Sequence, residues 1–201
     1  NKDINSAEDF KGLKMRIPGL GGDVIRALGG SPVTLAGAEI LPALQAGTID
    51  ATEWVGPYND LAFGIYKVVK NYYYPGFHEP GTSLSLGVNR QLYESMSDTD
   101  KAALQASAVA ENNIGLAEFN AKNAQALNTL ITEHGVNLRE MPDEVFVQAG
   151  QAAKDVLAET ANADAMTKRV HDSYTAFRKI ALEWSKLSDQ SYMRKRELAE
   201  G

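Results

Sequence analysis

Apolar residues alternate with charged ones at Leu13, Met15 and Ile17 against Lys14 and Arg16. A period of two places the apolar set on one face of a strand and Arg16 on the other. Pro18 and the glycines at 19, 21 and 22 end the run, and Val24, Ile25 and Leu28 follow at helical spacing. Residues 32–35 predict a second short strand, and residues 38–46 a helix stopped by Gly47, which suits the left-handed position after a helix end. Residues 49–54 predict a third strand. Pro57 then opens a helix with apolar positions at Leu61, Phe63, Ile65, Val68 and Val69. Strands and helices alternating in this way build βαβ units around a parallel sheet, so the expected class is α/β.

Ahead of this pattern, residues 1–10 are polar and irregular, with Ser6 placed to cap a short turn containing Asp9. After it stand Tyr72, Tyr73 and Tyr74, then Phe77, His78 and Glu79; the rings either decorate a sheet edge or face a cleft. Residues 84–88 predict a further strand with Leu84, Leu86 and Val88 on one face.

The pattern changes at Ser97, which with Asp98 and Asp100 marks a helix start. Leu116, Phe119, Leu127 and Leu130 continue a helical stripe to His134 and Gly135, as one long helix or two broken near Gly115. Residues 136–138 predict a last strand, and Pro142, Asp143 and Glu144 open another helix. Val170, Tyr174, Phe177, Ile180, Trp184 and Leu187 form a final stripe, expected to be core. The chain thus reads as an α/β lobe over residues 1–96 and, over 97–201, long helices with one strand.

Composition narrows the chemistry. With 201 residues and 44% hydrophobic content the chain can bury a proper core. A formal charge of -6 disfavours nucleic acid and anionic membrane surfaces. Cysteine is absent, which removes disulfides and thiolate chemistry but suits cytosol and periplasm alike. No apolar run approaches a membrane span. A first residue Asn1, without Met, leads to the expectation that something upstream has been removed.

His78, His134 and His171 lack metal-ligand spacing, there is no G-x-S-x-G elbow, and Asp50 and Glu53 on one strand point to opposite faces. The glycine-rich turn after residue 18 either cradles a phosphate or packs a helix. A binding constellation remains in and beside the stretch TIDATEWVGPYND at 48–60. Arg16 at a strand end can hold a carboxylate through two parallel bonds, Glu53 can hold a hard cation, and Trp54 supplies an apolar wall.

KGLKMRIPG at 11–19, GGSPVTLAGAEILPALQAGTIDATEW at 29–54 and NYYYPGFHEPG at 71–81 together resemble the solute receptors of tripartite ATP-independent periplasmic (TRAP) transporters. The E-W pair and the YYYPGFHEPG string most resemble the subgroup that binds 2-oxo acids, lactate and related monocarboxylates. The resemblance implies a periplasmic-binding-protein-like lobe with a mostly parallel sheet, a periplasmic location, and a C-terminal part of a longer receptor whose first lobe is missing. It implies a small organic acid as ligand and TRAP membrane permease subunits as partners, without enzymatic turnover. It makes Arg16 the carboxylate-binding residue, with Trp54, Phe77, His78 and Asn59 about the ligand. Glu53, the Trp54 carbonyl and Glu79 become ligands of a sodium or calcium ion. The C-terminal helices either brace the lobes or form a homodimer. An α/β lyase or aldolase acting on a 2-oxo acid, or a sensory ligand-binding module, remains as the alternative.

Overall fold

The computed structural model describes residues 1–79, 81 and 84–200. The chain divides into two compact units, Asn1–Ala149 and Gly150–Gly201.

In the first unit, the alternation at 13–17 becomes strand β1 (Lys14–Arg16), with Leu13, Met15 and Ile17 all buried. β2 (Ser31–Val33) pairs parallel to β1 on one side and β3 (Ala51–Thr52) on the other, giving the order β2-β1-β3. Pro32, which cannot donate to a ladder, sits on an edge strand where that is tolerated. Helix α1 (Gly19–Ala27) joins β1 to β2 and α2 (Gly37–Gln45) joins β2 to β3. The glycines of the α1 turn answer a packing demand: a Cβ on Gly22 would lie 3.0 Å from the Ile17 carbonyl. Phe10, Leu13, Met15, Ile17 and Ile25 form the core on one side of the sheet with Ile4, Ala7 and Val145. Ile40, Leu44 and Ile49 form a second cluster, against which Trp54, Phe63 and Ile65 pack.

The third strand is shorter than residues 49–54: Ala51 and Thr52 stand in register with Met15 and Arg16, the Asp50 and Glu53 N–H groups donate to the Lys14 and Arg16 carbonyls at either end, and Ile49 is fully buried in the second cluster. Helix α3 (Pro57–Phe63) begins at its proline as expected and ends at Gly64, whose φ of +81 turns the chain left-handed. Ile65 therefore belongs to a following 3-10 turn (Ile65–Lys67) and not to the same helix.

β4 (Asn71–Tyr74) does not join the first sheet. It pairs parallel to β5 (Asn137–Glu140), with Tyr72 opposite Leu138. Between them lie α4 (Arg90–Ser95) and α5 (Asp98–Thr132), the latter one continuous helix of 35 residues, with the Ser97 hydroxyl accepting from the Asp100 N–H. Residues 84–88 form no strand: among the described residues none pairs with them, and Leu84 and Leu86 are exposed. Alternation alone cannot satisfy a strand's N–H and C=O groups without a neighbour.

α6 (Asp143–Ala161) runs from the first unit into the second, which also holds α7 (Ala165–Leu187) and α8 (Asp189–Glu200). The stripe on α7 is not core. Val170, Tyr174, Phe177, Ile180, Trp184 and Leu187 are each more than half exposed. No described helix is long and apolar enough to cross a membrane.

Candidate functional site

Chain reversal creates the site. After β1 the chain moves to one side to make β2, then returns to place β3 on the other side of β1, so the crevice opens at the carboxyl ends of β1 and β3. Arg16 is the last residue of β1, and Glu53 follows directly on β3. Their side chains meet: Arg16 Nη1 donates to Glu53 Oε1 at 2.6 Å, with 11% and 17% of the two side chains exposed. Arg16 Nε donates to the Leu35 carbonyl at 3.2 Å, and its guanidinium carbon stands 5.5 Å from the Trp54 ring centre. Among the described residues Nη2 makes no hydrogen bond.

Glu53 and Trp54 form part of the wall of an open cleft of about 720 Å³, together with Phe77, His78, Glu79, Asp60, Tyr72 and Asn123. Arg16 does not line this cleft and reaches it through Glu53. The indole of Trp54 stacks on Phe63 at 5.1 Å, and a Cβ on Gly37 would meet it at 3.0 Å, so one indole face is core while another part walls the cleft. Phe77 packs edge-on to Phe10 at 6.3 Å and holds His78 against it at 5.1 Å.

One ligand atom each from Glu53, His78 and Glu79 lie within 4.8 Å of one another. Two carboxylates with one imidazole, and no thiolate, make a donor set fit for a hard cation. Burial pushes the Glu53 carboxyl above its ordinary value; Arg16 pulls it down, and Glu79 pushes it up again. Burial likewise lowers the His78 imidazole, against the pull of Glu79. Both shifts come first from burial, which favours the neutral forms of the carboxyl and the imidazole.

Other expected groups fall elsewhere. Asn59 does not line the cleft; its Oδ1 is buried on α3 with no hydrogen-bond partner among the described residues. Asp50 is structural: its carboxylate accepts the Lys14 N–H and the Lys2 ammonium, both at 3.0 Å. His134 stacks on Tyr66 at 3.9 Å, and His171 lies on α7 beside Asp172.

Two features escaped the sequence reading. Tyr72 donates to Asp60 Oδ2 at 2.5 Å; Asp60 is 7% exposed, and its Oδ1 has no partner. Burial raises the Asp60 carboxyl against the opposing pull of Tyr72 and of the Val55 and Gly56 N–H groups. Asn123 on α5 accepts the Tyr58 N–H at 2.9 Å. The acid in the Tyr-Asn-Asp run was visible, but its partner is twelve residues on; the Asn123 contact spans sixty-five residues.

Residues 1–164 match the family described as bacterial extracellular solute-binding protein, family 7 (DctP). The chain is 39% identical over 191 residues to the monocarboxylate 2-oxoacid-binding periplasmic protein all3028 of Nostoc sp., which covers 95% of this chain but 52% of that relative. It is therefore similar to about half of that longer protein. A TRAP periplasmic solute-binding protein from Colwellia psychrerythraea with bound calcium and pyruvate superposes with a TM-score of 0.90 at 36% identity, over 96% of this chain and 59% of the other. One from Pseudoalteromonas atlantica with bound sodium and pyruvate gives 0.84 at 37% identity, over the same shares of 96% and 59%.

Proposed function

Because the chain belongs to the DctP family of bacterial extracellular solute-binding proteins, we propose that it is the cation-assisted, carboxylate-holding part of a periplasmic receptor. The receptor binds a small 2-oxo acid or related monocarboxylate and hands it to TRAP membrane permease subunits, without making or breaking covalent bonds. The observation that carries this is the Arg16–Glu53 pair at the mouth of β1 and β3, with Glu79 and His78 converging on the same carboxylate. The pyruvate, calcium and sodium of the two solved relatives, and the 2-oxoacid of the curated one, support the choice of ligand and ion.

Binding proceeds by exchange of partners. Arg16 keeps Nε on the Leu35 carbonyl, which holds the guanidinium plane in place. An incoming carboxylate takes Nη1 and Nη2 in the two-pronged geometry that a guanidinium offers. Glu53, Glu79 and His78, whose ligand atoms lie within 4.8 Å of one another, with the Trp54 carbonyl, are the groups that would hold a sodium or calcium ion. Such an ion would supply the positive charge that offsets repulsion between the Glu53 and ligand carboxylates, roughly 4 kcal/mol at about 4 Å in a partly dry cleft. Trp54 and Phe77 provide the apolar walls, while Asn59 lies on α3 and does not line the cleft.

The exposed stripe of α7 fits a second copy of this chain, giving a homodimer through C-terminal helices. Calorimetric titration of the full-length protein with pyruvate, before and after removal of cations by chelation, tests the reading. Tight binding that needs added calcium or sodium is the expected result. Conversion of the 2-oxo acid to a product would overturn it in favour of an enzyme.

A further inference from the structure

The turn that carries Glu53 and Trp54 runs straight into α3, whose first residues are Pro57 and Tyr58. A helix start leaves N–H groups without intrahelical partners, and a side chain at the residue before the helix usually satisfies one of them. That residue here is Gly56, which has no side chain, and α3 has no side-chain cap of its own. The acceptor comes from elsewhere in the chain: Asn123, within the long helix α5, accepts the Tyr58 N–H through Oδ1 at 2.9 Å. The fit is close, since a Cβ on Gly56 would stand 3.4 Å from the same Oδ1. A neighbouring contact holds the same two helices, with Lys122 donating to the Tyr58 hydroxyl at 3.1 Å and Tyr58 meeting Phe119 edge-on at 5.9 Å. Asn123 also forms part of the cleft wall.

We infer that Asn123 is a positioning residue of the binding site: by capping α3 from α5 it fixes the Glu53–Gly56 turn, and with it the groups that receive cation and ligand. The inference rests on the cation-and-carboxylate reading of the cleft. Its consequence is a fixed mechanical link between that turn and the 35-residue helix, so that α5 bears on affinity without touching the carboxylate.

The test compares Asn123→Ala and Asn123→Asp in the full-length protein, with Glu53→Gln as reference. Calcium and pyruvate are titrated by calorimetry, and Trp54 emission is followed as the difference between the protein and its Trp54→Phe counterpart, in a Trp184→Phe background. Loss of a cap predicts that Asn123→Ala weakens calcium-dependent pyruvate binding by about tenfold and alters Trp54 emission. Asn123→Asp keeps an acceptor at a helix N-terminus, where negative charge is favourable, and should stay within about twofold of the parent. A general loss of folding would not be rescued by the aspartate. The inference is overturned if the alanine variant binds like the parent, or if the aspartate variant is as weak as the alanine one. If Glu53→Gln itself binds calcium and pyruvate like the parent, the underlying reading of the cleft falls and this inference falls with it.

Discussion

Arg16 and Glu53 end adjacent parallel strands and close on each other at 2.6 Å, although thirty-seven residues separate them in sequence. A lysine at position 16 would keep the charge but lacks the planar fork that holds the Leu35 carbonyl through Nε while presenting two parallel N–H donors to a ligand carboxylate. Arg16→Lys should therefore weaken ligand binding by at least about tenfold, or about 1.4 kcal/mol. Calorimetry on the two full-length proteins checks this, and equal affinities would remove Arg16 from the binding role.

Glu53→Gln removes the charge that Arg16 and Glu79 both sense. The variant should lose its dependence on calcium or sodium and bind ligand more weakly in the same step. A chelator titration reads both. If cation-free buffer leaves the parent's affinity unchanged, a protonated Glu53, consistent with its raised pKa, replaces the bridging ion.

Tyr72→Phe removes the hydroxyl that donates to Asp60 Oδ2, while Oδ1 already has no hydrogen-bond partner among the described residues. An unsatisfied buried acceptor costs about 1–3 kcal/mol. The urea midpoint should fall accordingly, with the slope of the transition unchanged.

Asp50 sets an acid limit. Burial pushes its carboxyl up, but the Lys14 N–H and Lys2 outweigh that and hold it below the ordinary 3.8. A depressed folded-state value means that Asp50 stabilises fully above pH 3.8, and that this stability is lost as pH falls below it through the folded value. Asp50→Asn should be less stable than the parent at neutral pH, and the gap should close in acid. Thermal melts across that range measure it, and a gap constant with pH would sink the assignment.

Phe177→Glu places a charge in the middle of the exposed α7 stripe. Sedimentation velocity should show the parent as a dimer and the variant as a monomer with intact ligand binding. A parent that stays monomeric at every concentration removes the dimer.

Where the sequence was informative, the reason was local. Alternation at Leu13, Met15 and Ile17 needs only its own backbone to choose a face, and the Ser97 cap and the Gly47 stop act within one turn of their helices. The alternation of strands and helices foretold a parallel sheet, but the order β2-β1-β3 that makes Arg16 and Glu53 meet was not legible in it. What did not read through depends on neighbours. The third strand is shorter because only Ala51 and Thr52 come into register with β1; residues 84–88 alternate correctly yet pair with no strand among the described residues; and the α7 stripe has core periodicity but is exposed. Asp60 with Tyr72, and Asn123 with Tyr58, join groups that no periodicity connects.

The pairing of β4 with β5 also fixes an order of events during synthesis. The three strands of the first sheet are complete once residue 52 has emerged, so that sheet can close early. β4, with its three adjacent tyrosines, must wait until residues 137–140 appear, because its partner lies beyond the whole of α5. Throughout that interval an aromatic strand stands without its neighbour, open to association with other chains. A chain that holds residues 71–74 but not yet 137–140 is thus the one in which this aromatic edge stands open.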